Sequence, residues 1–263
     1  MQEAPVVVWG EEEPVVLVHG SGDTDPTFVW SNQRPLAERY QLLVVTRPGY
    51  GQRPISPRTH VDQDVQEILS LLHQYRGGHL VGFSYGGLIA LLVAAKQPAL
   101  IRSLTVIEPP AFALARGNPA VEQTIARAKP AYEPESPLST EVFLVRFMKA
   151  IQPDFPDTIE LSPEDRKGVE AMQTEPAPWK ISIPVANLEV TPFPKFVVTS
   201  GEHGAFEAAA DILTQQLGAT LTVCAGKGHY IPDTGEPYNQ LLESFLQSAV
   251  TFESQSYQEK GGE

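Results

Sequence analysis

Cysteine is almost missing from this chain of 263 residues. Cys224 stands alone, which excludes an internal disulfide and a cysteine-based metal cluster. It lies in an apolar, strand-like run, so a buried, unreactive side chain is expected. Positive charge is also scarce: 19 Lys and Arg against 32 Asp and Glu give a formal net charge of −13. The acidic residues are scattered rather than clustered. A surface of that sign repels phosphate backbones, so neither nucleic acid nor an anionic membrane is expected as a partner. No apolar stretch reaches the length of a membrane span. The opening Met1-Gln2-Glu3-Ala4-Pro5 has no basic region before its short apolar run, unlike a signal peptide. These shortages together predict a soluble, cytoplasmic protein.

The chain does have short, β-branched apolar runs that alternate with helical patterns. Val6–Trp9 and Val15–Val18, separated by acidic turn residues, predict a small first hairpin. Further strands are expected at Leu42–Val45, Leu80–Phe83, Leu104–Ile107, Phe196–Thr199 and Leu221–Cys224. The later ones are nearly continuous in apolar character, as in a parallel sheet covered on both faces. Helical segments fall at Val61–Tyr75, Gly87–Lys96, Glu207–Leu217 and Asn239–Ala249. Repeated strand–helix units imply an α/β fold with a doubly wound, mostly parallel sheet.

The alternation breaks between about 109 and 194, which holds more than half of the 24 prolines. Proline interrupts helices and cannot donate within a central strand, so this region cannot continue the sheet. It is expected to be an inserted helical lid, with Phe143, Phe147 and Ile151 forming a stripe within its own core. The predicted organisation is therefore a core of 1–108 and 195–253, a lid of 109–194 and a flexible tail of 254–263.

The strongest chemical signal is Gly82-Phe83-Ser84-Tyr85-Gly86, which joins an apolar strand to a helix-compatible run. A serine on such a tight turn adopts a strained conformation, and its neighbours must be small for strand and helix to pass closely. There it can meet a histidine base on one side and backbone N–H donors on the other. The favoured base is His229, in the glycine-rich loop Gly226-Lys227-Gly228-His229-Tyr230 after the last strand, with His203 a weaker rival. His60, His73 and His79 read as surface or helix residues. The loop His19-Gly20-Ser21-Gly22 follows an apolar strand and can aim N–H groups inward. Its expected donors are the N–H groups of Ser21 and Tyr85, the latter just after the nucleophile, while His19 orients the loop.

In their order and at their strand ends, these three pieces resemble the α/β-hydrolase superfamily. The resemblance implies an eight-stranded core, from which this short N-terminus can lack the first strand. It implies chemistry by Ser84, His229 and a carboxylate, with neither metal nor organic cofactor. The carboxylate is where the chain departs from the family, whose acid usually follows the strand here placed at Phe196–Thr199. That turn reads Gly201-Glu202-His203-Gly204, with glycine where aspartate would stand. Glu202 is one substitute. Glu108, which closes the strand ending at Ile107 and precedes Pro109-Pro110, is preferred, as some superfamily members carry their acid there. The expected function is hydrolysis of an ester, thioester, lactone or related bond of a small, apolar substrate through an acyl-Ser84 intermediate. Carbon–carbon bond hydrolysis stays open, and a small-molecule receptor on the same fold is the alternative.

Overall fold

The computed structural model describes residues 5–55 and 60–260, with residues 250–260 described by backbone alone. Seven strands are formed: β1 (Val6–Trp9), β2 (Glu13–Val18), β3 (Tyr40–Val45), β4 (Gly78–Phe83), β5 (Ile101–Ile107), β6 (Lys195–Thr199) and β7 (Thr220–Val223). They make one sheet in the order β1-β3-β2-β4-β5-β6-β7. All neighbours pair in parallel except β1 and β3, which run antiparallel with Val6 opposite Val45. The doubly wound, mostly parallel sheet is thus present, with seven strands among the described residues.

The expected first hairpin does not form. Val15–Val18 are wholly buried, and β2 is taken on both edges by parallel partners, β3 and β4. That leaves β1 to pair on the far side of β3, so the link between β1 and β2 must cross over it. The crossing is visible at Gly10, where a Cβ would lie 2.2 Å from the Tyr40 carbonyl oxygen and 2.4 Å from that of Ala37. Only a residue without a side chain passes so close to backbone.

The helices are α1 (Pro26–Val29), α2 (Asp62–Gln74), α3 (Tyr85–Lys96), α4 (Pro119–Tyr132), α5 (Thr140–Ile151), α6 (Pro163–Gln173), α7 (Val185–Glu189), α8 (Gly204–Leu217) and α9 (Glu236–Lys260). Strand residues alternate between two apolar cores, as the two-residue period requires. Val16, Val18, Leu80 and Val197 pack with α2, α3 and α8. Val15, Leu17, Val81 and Val198 pack with α9 and the segment around Trp30. Cys224 is free and buried within the second of these cores. The helix α9 runs on to Lys260, through the expected start of a tail at 254; residues 261–263 lie outside the described residues. No helix among the described residues is long and apolar enough to cross a membrane.

Helices α4 to α7 all fall between β5 and β6, in the proline-rich stretch. Helices α4, α5 and α6 begin on side-chain caps, with the Asn118, Ser139 and Ser162 oxygens accepting N–H groups of the first turn. Proline at the start of α4 and α6 supplies a fixed φ where no intrahelical donor is needed. Prolines therefore start helices here as well as ending them. This insertion carries a small core of its own, including Ala131, Phe143, Val169 and Met172.

Candidate active site

The turn between β4 and α3 carries Ser84 with φ 52° and ψ −123°, a region that L side chains rarely adopt. It can exist because its neighbours have no side chains. A Cβ on Gly86 would lie 2.3 Å from the Val18 carbonyl oxygen, and one on Gly82 would lie 2.4 Å from the Gly86 carbonyl oxygen. The Ser84 N–H donates to the Ile107 carbonyl at 2.8 Å, fixing the turn to the end of β5.

Ser84 Oγ lies 2.9 Å from His229 Nε2, and His229 Nδ1 lies 3.2 Å from Glu108 Oε2. Three residues from three strand ends thus form one hydrogen-bonded series at the carboxyl edge of the sheet. The imidazole is held between the rings of Phe83 (centroids 5.2 Å apart) and Phe206 (4.7 Å). Glu108 is buried and has φ 47°, the same left-handed region as the serine. Its second oxygen, Oε1, accepts from the Thr199 hydroxyl at 2.8 Å and the Ser200 N–H at 2.6 Å. Burial alone would push this carboxyl up. The His229 ring and the donors from Ser200 and Thr199 outweigh it and hold the group below the ordinary carboxylate value.

Glu202 is placed differently. It is exposed at the rim of the cavity, where its carboxylate accepts from the Gly226 N–H at 3.4 Å. His203 also lines the cavity, beside Phe206. His19 accepts the Arg47 N–H on Nε2 at 3.2 Å and meets the Tyr50 ring edge-on, which anchors the loop after β2. His79 is not a surface residue: it is buried in β4, with Nδ1 2.7 Å from Ser103 Oγ and Nε2 3.2 Å from Glu13. Every residue of β4 is buried, so a polar side chain there is buried whichever face of the sheet it points to.

A cavity of about 340 Å³ opens over Ser84. Ser21 and Tyr85 both line it. As the first residue of α3, Tyr85 has an N–H that the helix leaves without an acceptor. The far wall of the cavity is apolar and comes from the insertion, whose Phe112, Tyr132, Phe147, Met148, Ile151 and Trp179 line it. The aromatic stripe of α5 is therefore divided. Phe143 lies within the insertion's own core, Phe147 packs against that core and also lines the cavity, and Ile151 lines the cavity.

One group was not foreseen from the sequence. Arg47 is wholly buried and donates through Nε to Asp64 (3.0 Å), through Nη2 to Glu175 (2.6 Å) and through Nη1 to the Gly20 carbonyl (2.7 Å). Tyr50 donates its hydroxyl to Glu175 at 2.9 Å, and so does Ser21. An arginine two residues beyond an apolar strand was a signal, but its partner Glu175 stands 128 residues away.

The model of the alpha/beta hydrolase family matches residues 15–241. The chain belongs to that family. A pimeloyl-[acyl-carrier protein] methyl ester esterase of Aeromonas hydrophila is 33% identical over 108 residues, 40% of this chain and 41% of that protein. A probable lysophospholipase of Arabidopsis thaliana, BODYGUARD 1, is 28% identical over 129 residues, 45% of this chain and 27% of that protein. The matched stretches thus span less than half the length of these curated relatives. Among solved structures, an alpha/beta hydrolase from Sphaerobacter thermophilus aligns with a TM-score of 0.68 at 19% identity, covering 92% of this chain and 95% of that one. A meta-cleavage product hydrolase from Pseudomonas fluorescens aligns with a TM-score of 0.64 at 18% identity, covering 94% of both chains. At those identities the structural likeness speaks for the fold.

Proposed function

We propose that this protein is a serine hydrolase that cleaves an ester, thioester or lactone of a small, apolar acyl group through an acyl-Ser84 intermediate. The observation that carries the reading is the series Ser84 Oγ, His229 Nε2, His229 Nδ1, Glu108 Oε2 at the floor of a cavity. His229 takes the Ser84 proton as Oγ attacks the carbonyl carbon, and Glu108 holds the tautomer that leaves Nε2 free to accept. The oxyanion that forms is met by the N–H groups of Ser21 and Tyr85. Collapse of the intermediate breaks the bond to the leaving group, which takes the proton from His229. Water then attacks the acyl-serine by the same route in reverse, releasing the acid and restoring the hydroxyl.

Two features support the substrate class. The volume over Ser84 is near the small end of ligand pockets, and its far wall is apolar and aromatic. Of the two curated relatives described above, one is named a methyl ester esterase and the other a probable lysophospholipase. The insertion 109–194 acts as the lid that closes the acyl site.

Labelling with a fluorophosphonate probe, which phosphonylates an activated serine, tests the reading. The intact protein is expected to label, and Ser84→Ala to remain unlabelled. No labelling of the intact protein, or equal labelling of the variant, would overturn the hydrolase reading and leave a binding protein on the same fold.

A further inference from the structure

We propose that Glu175 and Arg47 are positioning residues that set the Gly20–Ser21 peptide for catalysis, so that the oxyanion donor is competent only while the lid is docked. The inference rests on the serine-hydrolase reading above. It starts from the geometry of one peptide unit. The Gly20 carbonyl and the Ser21 N–H belong to the same planar trans peptide and so point in opposite directions. Arg47 Nη1 donates to that carbonyl at 2.7 Å. With the oxygen held on the buried side, the N–H must point away from the guanidinium. Ser21 lines the cavity, and Gly20 lies against Ser84, its Cβ position 3.0 Å from the serine Cβ. A positive group on the oxygen also polarises the peptide and strengthens its N–H as a donor.

The lid supplies the other half of the clamp. Glu175, just beyond α6, receives Arg47 Nη2 at 2.6 Å, the Tyr50 hydroxyl at 2.9 Å and the Ser21 hydroxyl. One carboxylate thus holds both the guanidinium that pins the Gly20 oxygen and the side chain of the residue that carries the donor N–H. The next residue is fixed as well, because the Tyr85 hydroxyl donates to the Pro176 carbonyl at 2.9 Å. Helix α6 closes from the opposite side: a Cβ on Gly168 would lie 2.0 Å from the Gly22 carbonyl oxygen, so helix and loop touch backbone to backbone. Lid displacement would therefore release the loop at Gly20, Ser21 and Gly22 together.

Preorganised donors act on the transition state and scarcely on substrate binding. With 4-nitrophenyl butyrate, Glu175→Gln is expected to lower kcat by about 10- to 100-fold, less than the loss of a whole oxyanion donor, and to change KM by less than about threefold. Ser21→Ala keeps the backbone N–H but loses the tether, and is expected to lower kcat by about 3- to 10-fold. Fluorophosphonate labelling should slow in step. Glu133→Gln breaks a surface ion pair of the lid with Lys180 and should behave as the parent. Both clamp variants within twofold of the parent in kcat would overturn the proposal, as would a loss confined to KM. If Glu175→Gln fails to give a cooperative melt, Ser21→Ala decides alone. Amide hydrogen exchange separates the two readings. If the parent does not label, the hydrolase reading fails. The clamp then stands on faster exchange at residues 20–22 in Glu175→Gln or Ser21→Ala, and falls if exchange there is unchanged.

Discussion

Glu108 Oε2 sits 3.2 Å from His229 Nδ1, and both residues owe their positions to strand ends. The carboxylate is fixed from three directions: the histidine on one oxygen, Thr199 and Ser200 on the other. A strained φ of 47° is tolerated because these contacts over-determine it. The end of β6 thus holds this carboxylate without supplying it. Glu108→Gln is expected to lower kcat by about 10²- to 10⁴-fold, since a glutamine amide favours the wrong histidine tautomer. Glu202→Gln should stay within about threefold of the parent, because its carboxylate turns to Gly226. Steady-state kinetics on a 4-nitrophenyl ester check both, and the reverse ranking would move the acid to Glu202.

The strand–turn–helix elbow at residues 82–86 makes a structural demand that can be tested apart from chemistry. Gly86→Ala would place a methyl group 2.3 Å from the Val18 carbonyl oxygen and 2.5 Å from that of His19. Neither atom can yield without breaking the β2 end or the loop that follows it. A loss of several kcal/mol in unfolding free energy is expected, on the order of 3 kcal/mol or more. Chemical denaturation of purified variants gives the number. Gly117→Ala makes the comparison, for nothing lies within 4 Å of its Cβ position, and only its positive φ opposes the change. A milder effect for Gly86→Ala than for Gly117→Ala would refute the close-packing account.

Much of this was legible because it is local. The elbow needs a strand, a tight turn and a helix in succession, and residues 78–96 spell out all three. The apolar runs of the central strands were equally plain, because a strand buried on both faces has no polar side to confuse it. Pairing was not legible. Val6–Trp9 and Val15–Val18 looked like hairpin partners, yet what decides pairing is which edges remain open once β2 lies between β3 and β4. The cluster around Arg47 was hidden for a related reason. Arg47, Asp64 and Glu175 carry no shared motif, and only the folded insertion brings the last of them to the first. The aromatic stripe of α5 was read only in part: helical spacing shows which residues share a face, but not that Phe147, packed on the insertion's own core with Phe143, also lines the cavity.

Asp23, directly after the loop of Ser21 and Gly22, gives a prediction on pH and stability. Burial, reinforced by the nearby Asp233 carboxylate, pushes its carboxyl up to about 6 from an ordinary 3.8. Between those values the folded chain holds a proton that the unfolded chain has lost. Stability therefore falls as pH rises through that window, and above it the folded state carries a cost of about 1–3 kcal/mol from this group. Asp23→Asn should then raise the melting temperature at pH 7.5 and leave it nearly unchanged at pH 3.5. Thermal melts of the pair at both pH values are the measurement. An equal shift at the two would mean that the carboxyl is not the cause.

Chain-length preference tests the acyl site, and its direction follows from which side chains close the far wall. Phe147 comes from α5 and faces the cavity while stacking on Phe143 at 6.5 Å and meeting Tyr132 edge-on at 6.1 Å. Its removal opens space toward the apolar core of the insertion, against which it packs. A longer acyl chain gains about 0.8 kcal/mol for each methylene it newly buries. Two such groups correspond to roughly a tenfold change in rate constant. Phe147→Ala is accordingly expected to raise the kcat/KM ratio of 4-nitrophenyl octanoate to butyrate by about tenfold, with Ser84 still labelled at near the parent rate. An unchanged ratio with intact labelling would place the acyl chain elsewhere, along the rim formed by Glu202, His203 and Lys227. There a polar group, not a longer alkyl chain, would be the favoured extension.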